Sequence, residues 1–398
     1  MSAALDDVVV LDLTNTFSSS LTAAFLADFG GNVIRLELLT QAREAKQTDG
    51  SWDYEADLIH RNKQSVVIDP AQERGRKLLA ELAVKADVIV TDWQIAELAA
   101  LGLDYQTVSK SNPGIIFGRS SGFGPRGPDK DLPGIDELAA SRTGAMPTLQ
   151  QPGEPPVYTG AGAMHATVML AFGVVTALVH RQATGEGQEV DTSLFAANMY
   201  GASLDLQAFL AIDEGQRERL MHPISRLDVS NPISGSLYPS SDGRWVTLTM
   251  PDTDRWWPLL APAVGIDVDD ERFNSHEKRC ETNRLELIQE LEAGFQRQSG
   301  AHWRQLFAEK HMSADVIEQF DYPAQDPQVA ANKYIMELDH PSFGKVNSLG
   351  FPIFMSDSPA RLNSLAPCTG QHTANVLHEL LGYSEDEIYQ FTTEGVVV

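Results

Sequence analysis

Few residues in this chain are placed to do chemistry. Asp136 and Glu137 set two adjacent carboxylates at the start of a short helical stretch, and His165 lies in Gly160-Ala161-Gly162-Ala163-Met164-His165-Ala166-Thr167, which opens a long apolar run. A carboxylate suits nucleophilic or acid–base work and a histidine suits general-base work. The plainer alternatives are a carboxylate favoured by the positive end of its helix and a buried, hydrogen-bonded histidine without a reaction. No acidic residue occurs between Pro155 and Glu186, so the apolar run brings no carboxylate of its own. Gly160-Ala161-Gly162 and the stretch from Gly122 to Gly127 have the composition of phosphate cradles, but tight turns are the expected use. Trp256-Trp257 and Trp303 fall at helix-like positions and are expected in a core or interface rather than as a ligand platform. Cys280 and Cys368 are far apart and lack CxxC or Cys/His spacing, so neither a zinc site nor a disulfide framework is expected, and no metal is assigned.

These residues sit in a strongly acidic chain. With 398 residues and a formal net charge of −25, it is long enough for two domains, and its field repels nucleic acid. The same field opposes a polyanionic ligand unless a local basic pocket or a partner supplies positive charge. Met1 to Asp7 lead into Val8-Val9-Val10-Leu11 without a basic leader or an uninterrupted apolar run of membrane-spanning length. A cytoplasmic protein with no membrane anchor is the expectation.

The elements that must position the candidates alternate in type. Val8 to Leu13, Asn32 to Leu36, Ser65 to Ile68, Asp87 to Val90 and Gly114 to Gly118 read as strands, with helices over Ser20 to Phe29 and Gln72 to Lys85. That alternation predicts parallel βαβ units. A buried helix is expected from Met164 to Gln182, then a strand from Gln188 to Thr192 and a helix from Leu194 to Leu210. Pro223, Pro232 and Pro239 mark residues 212–240 as an extended crossover. The expected organisation is a large domain over 1–211, the crossover 212–240, a small domain over 241–322, and a return segment 323–398 that completes the large domain. A helix starting at Ser384-Glu385-Asp386-Glu387 is predicted near the end.

A set of ordered landmarks then carries a resemblance. They are Val10-Leu11-Asp12-Leu13-Thr14, Phe29-Gly30-Gly31-Asn32-Val33, Asn62-Lys63-Gln64-Ser65, Leu101-Gly102-Leu103, Ser121-Gly122-Phe123-Gly124, Pro133-Gly134-Ile135-Asp136, Thr184-Gly185-Glu186-Gly187-Gln188 and Asp326-Pro327. With them, nearly the whole chain resembles the family III CoA-transferases. The resemblance implies an α/β fold: a large Rossmann-like domain with a parallel sheet built from both chain ends, a smaller α+β middle domain, and two subunits interlocked like links of a ring. It implies no nicotinamide cofactor, and no GxGxxG follows the first strand.

In that family an aspartate attacks the acyl-CoA thioester, and an enzyme-bound aspartyl-CoA thioester then carries CoA to the acceptor acid. The resemblance puts this nucleophile at Ala163, whose methyl group can neither attack nor ionise. Family positions that contact CoA fall on Phe17, Leu38, Gln64 and Ala100, and the glycine-rich loop of the small domain is reduced to Ser234-Gly235-Ser236. The racemase branch is disfavoured because Ile135 stands where it places a histidine. Three readings follow. In the first, this chain is the non-catalytic subunit of a heteromer, as in the succinyl-CoA:(R)-benzylsuccinate CoA-transferase type, with a homologous partner that keeps the aspartate and binds the coenzyme A ester; no cofactor is held covalently, and aromatic-acid catabolism is a plausible setting. In the second, an active homodimeric acyl-CoA lyase, dehydratase or isomerase uses Asp136 or His165. In the third, the chain is a regulatory or binding protein without CoA turnover.

Overall fold

A computed structural model describes residues 3–44, 50–148, 150, 153–214, 217, 225 and 227–398. The chain divides into two compact units, one of Met1–Met146, Tyr158–Glu214 and Asn332–Val398, the other of Pro147–Val157 and Gly215–Ala331.

The first unit is an α/β layer structure. Its elements are β1 (Val9–Leu13), α1 (Phe17–Asp28), β2 (Asn32–Leu38), α2 (Leu39–Glu44), α3 (Tyr54–Ile59), β3 (Lys63–Ile68), α4 (Glu73–Lys85), β4 (Val88–Thr91), α5 (Ile95–Ala100), α6 (Tyr105–Ser111), β5 (Ile116–Ser121), α7 (Asp136–Ala140), α8 (Ala145–Thr148), α9 (Ala161–Thr184), β6 (Gln188–Ser193), α10 (Leu194–Gly201) and α11 (Ser203–Ala211). Six strands pair in parallel in the order β3-β2-β1-β4-β5-β6. Their residues alternate between two buried faces, which is why the strands read as continuous apolar runs. Leu11, Ile34, Val66 and Ile89 pack with α4, Trp93 and Leu98. Val10, Val33, Val88 and Ile116 pack on the other side with Ala23 and Leu26 of α1 and Leu170 and Val174 of α9.

The chain end closes this unit. Val376, Leu377, Ile388 and Val396 join the same core, Val397 bridges to Ile68, and Asp69 N donates to Val396 O at 2.8 Å. The helix Glu385–Thr393 starts with the predicted capping box, Ser384 and Glu387 each bonding the other's backbone. The large domain is therefore built from both chain ends.

The second unit holds a three-stranded antiparallel sheet of β7 (Ser234–Pro239), β8 (Trp245–Thr249) and β9 (Ala314–Ile317). Residues 227–240 are more than the crossover expected for them. Ile233 and Tyr238 are fully buried in this unit's core, because β7 needs a strand partner and finds it in β8. The unit also takes in Pro147–Val157, which the sequence reading left in the large domain. Trp257 and Trp303 lie buried in its core and Trp256 packs against it. Residues 218–224 of the expected crossover, with Pro223, lie outside the described residues.

Helix α9 differs from expectation. Ala166, Leu170, Val174 and Ala177 are buried at helical spacing, yet Val168, Phe172 and Val179 are 58%, 72% and 62% exposed. By length and composition α9 is apolar enough to cross a membrane. Its small buried face instead covers β5 and β6, where Val174 lies against Gly118 and Val190 lies against Gly173. The opposite face has no partner among the described residues.

Candidate active site

The first turn of α9 gathers the candidate carboxylate and the vacancy. Gly160 caps the helix from the left-handed region at φ 69°, followed by Ala161, Gly162 and Ala163. Asp136, the first residue of α7, stands beside Gly162: a Cβ there would lie 2.0 Å from Asn198 Nδ2 and 2.4 Å from Asp136 Oδ1. Only glycine lets the two side chains approach the turn this closely.

Both oxygens of Asp136 are engaged. Asn198 Nδ2 donates to Oδ1 at 2.7 Å, and Tyr158 Oη donates to Oδ2 at 2.8 Å. Burial, then the hydrogen bond to Asp136, pushes the Tyr158 pKa up to about 12, so the phenol keeps its proton and remains the donor. Asn198 Nδ2 is also 2.9 Å from Leu194 O, so this amide ties α7 to α10. Asp136 is thus an acceptor engaged at both oxygens at the start of α7.

Ala163 itself is partly buried and packs with Ala139, Ala166, Leu194 and Ala197, beside Phe123, Met169 and Phe195. Its carbonyl accepts at 3.1 Å from Thr167 Oγ1, which is also 2.7 Å from Ser18 O. The position to which the resemblance assigns the nucleophile is therefore an apolar contact with no ionisable group on its own side chain.

His165 corrects the sequence reading. It is exposed rather than buried, and its ring has no hydrogen-bond partner among the described residues. A Cβ at Gly201 would lie 2.8 Å from its Nδ1, so the ring rests on the end of α10. Two positions along a helix differ by about 200° in direction, so His165 and Ala163 project to different sides of α9.

The remaining positions are dispersed. Phe17 starts α1 at 36% exposure, Leu38 ends β2, and Ala100 ends α5 and is exposed. Gln64 is not at that edge of the sheet: it pairs with Ile34, whereas Leu38 pairs with Ile68 four positions farther along. Ser234-Gly235-Ser236 forms no separate loop. These residues belong to β7, where Gly235 at φ 73° makes a bulge and Ser236 Oγ donates to Asn231 O at 3.0 Å.

The Asn62-Lys63-Gln64-Ser65 landmark is largely structural. Lys63 Nζ is fully buried, 2.6 Å from Asp12 Oδ2 and 2.8 Å from Ser20 O. Asn62 holds the return segment through Arg361 O and the Asn363 and Ser364 amides, while its Nδ2 also donates to Asp28. Arg61 pairs with the same Asp28. Tyr158 and Asn198 belong to no spaced motif, so no sequence signal points to them.

Among the described residues no group of three or more His, Cys, Asp or Glu side chains is arranged to hold a metal. The six-stranded parallel sheet, formed within residues 9–193 and packed by the chain end, carries the candidate site at the head of α9. The chain belongs to CoA-transferase family III, whose family model matches residues 5–373. It is 30% identical over 393 residues to cinnamoyl-CoA:phenyllactate CoA-transferase of Clostridium sporogenes, covering 96% of this chain and 94% of that protein. It is 27% identical over 407 residues to (R)-2-hydroxy-4-methylpentanoate CoA-transferase of Clostridioides difficile, covering 99% of each. A crystal structure of a CaiB/BaiF family protein from Brucella suis superposes with a TM-score of 0.83 at 25% identity, covering 96% of this chain and 100% of that one.

Proposed function

We propose that this chain is the non-catalytic subunit of a cytoplasmic family III CoA-transferase, paired with a homologous subunit that carries the nucleophilic aspartate and binds the coenzyme A ester. The observation that carries the reading is Ala163, set in an apolar contact at the head of α9, with the neighbouring carboxylate Asp136 already bound at both oxygens. Covalent transfer needs a group that can attack a thioester, and a methyl cannot.

The unpartnered face of α9 supports an interlocked pair, because exposed apolar residues at this density favour burial against another chain. Aromatic or arylalkyl acids, with succinyl-CoA or a related ester as donor, are the substrates this reading favours, in line with the cinnamoyl-CoA and phenyllactate specificity named for the Clostridium sporogenes relative. The test is CoA exchange between succinyl-CoA and phenyl-substituted acids by the purified chain, alone and after co-expression with a homologue that keeps the aspartate. Turnover only in the pair supports the proposal; ordinary turnover by the chain alone overturns it.

The active-homodimer reading has one observation in its favour, the closeness of Asp136 to the first turn of α9. It requires Asp136 to leave Tyr158 and Asn198 before acting. Loss of turnover on Asp136→Asn in the isolated chain would support it.

A further inference from the structure

The parallel sheet changes direction of winding between β1 and β4, which lie side by side while β2 and β3 extend one way and β5 and β6 the other. In sheets of this kind a ligand enters the crevice beyond the carboxyl ends of the strands at that point. In this chain, Thr14, Asn15 and Thr16 lead from β1 into α1, and Asp92 follows β4. The Asn15 amide donates to Asp92 Oδ1 at 3.0 Å and Oδ2 at 3.2 Å, the Thr16 amide donates to Oδ2 at 2.8 Å, and Thr16 Oγ1 donates to Oδ2 at 2.6 Å. The amides ahead of a twelve-residue helix are the groups that would receive an anion. Here they are spent on the chain's own carboxylate, which burial disfavours in its charged form.

Two further polar groups lie near the carboxyl ends of β4 and β5. Among the described residues, Trp93 Nε1 and Arg119 Nη2 are buried donors without a hydrogen-bond partner, in residues only 6% and 5% exposed. Trp93 directly follows Asp92, and Arg119 pairs in register with Thr91 at the end of β4. Arg119 Nε is engaged with Asp191 at 2.9 Å, which leaves the orphan nitrogen as spare capacity. Unmatched buried donors are rare in folded chains.

We infer that Asp92 is an internal anion that closes the switch-point crevice of this chain, so that the chain refuses phosphate-bearing ligands there until the charge at position 92 is removed. The inference rests on the reading that the partner, and not this chain, holds the CoA ester, and it supplies a physical reason for that division. A phosphate brought to the Asn15 and Thr16 amides would meet a carboxylate already in its place, inside a molecule of net charge −25.

The test is calorimetric titration of the full chain and of Asp92→Asn with coenzyme A, using pantetheine, which has no phosphate, as the control. The expected result is coenzyme A binding tightened about tenfold or more in Asp92→Asn, a gain that shrinks as salt is raised, with pantetheine unchanged. Asp92→Ser, which also removes the charge, is titrated alongside. If the folded variants melt lower but bind coenzyme A no better, Asp92 is a structural cap only and the inference is overturned. Equal coenzyme A affinity in native chain and variants overturns it as well. Neither result bears on where the nucleophile lies, which the turnover of the isolated and paired chains decides.

Discussion

At the scale of single residues, the vacancy at position 163 is more than a missing carboxylate. Ala163 has become part of a small apolar contact with Ala139, Ala166, Leu194 and Ala197, and Asp136 sits one residue away against Gly162. Replacing Ala163→Asp would put a second carboxylate into that contact near an existing one. The expected result is a loss of about 1 to 3 kcal/mol in stability with no transferase activity in the isolated chain. Denaturant unfolding and a CoA-exchange assay check the two halves, and recovered turnover would show the site intact but for one atom group. Gly162→Ala is the complementary change. Its new methyl meets Asn198 and Asp136 at less than contact distance, so a loss of about 1 to 3 kcal/mol in unfolding free energy is expected.

Between elements, a fully buried polar tie joins β3 to β1 through Lys63 and Asp12, with Thr14 and Ser20 completing the cluster. Lys63→Met would leave Asp12 buried without its counter-ion, at an expected cost of about 3 to 5 kcal/mol, read as a fall in denaturation midpoint. His60 lies 3.5 Å from the same ammonium. Burial first, then the Lys63 and Arg35 charges, bring its pKa from the usual 6.5 down to about 2. The unfolded chain therefore takes up this proton below pH 6.5 while the native chain does not, so His60's contribution is present above that pH and is lost as pH falls. Comparing native protein with His60→Gln from pH 7 to 4 should show the native chain losing stability faster, by about 1.4 kcal/mol per pH unit at most. The sheet was legible in the sequence because buried parallel strands leave continuous β-branched runs, as at Val8 to Leu13, and the capping box at Ser384 was legible because it is local. The exposed side of α9 was not: Val168, Phe172 and Val179 share the apolar character of Leu170 and Val174, and composition does not tell a face that meets the sheet from one that awaits another chain. Asp136 was legible as a carboxylate at a helix start, but its clasp by Tyr158 and Asn198 joins residues 22 and 62 positions away, beyond any local pattern.

For the whole molecule, the reading is of a family III scaffold that keeps its sheet and its return segment but hands the covalent step to another subunit. The unpartnered face of α9 gives the pairing a test. Phe172→Glu, on a side chain 72% exposed, should leave the isolated chain's thermal unfolding within about 0.5 kcal/mol of native, and should abolish co-purification with the aspartate-bearing homologue. Retained pairing would place the interface elsewhere. Under the proposed division of labour no carboxylate of this chain carries acyl or CoA, which hydroxylamine trapping during turnover of the co-expressed pair, followed by mass mapping of modified aspartates and glutamates, tests directly. An aspartyl hydroxamate on the partner alone is expected. A hydroxamate on this chain, at Asp136 or elsewhere, would contradict it.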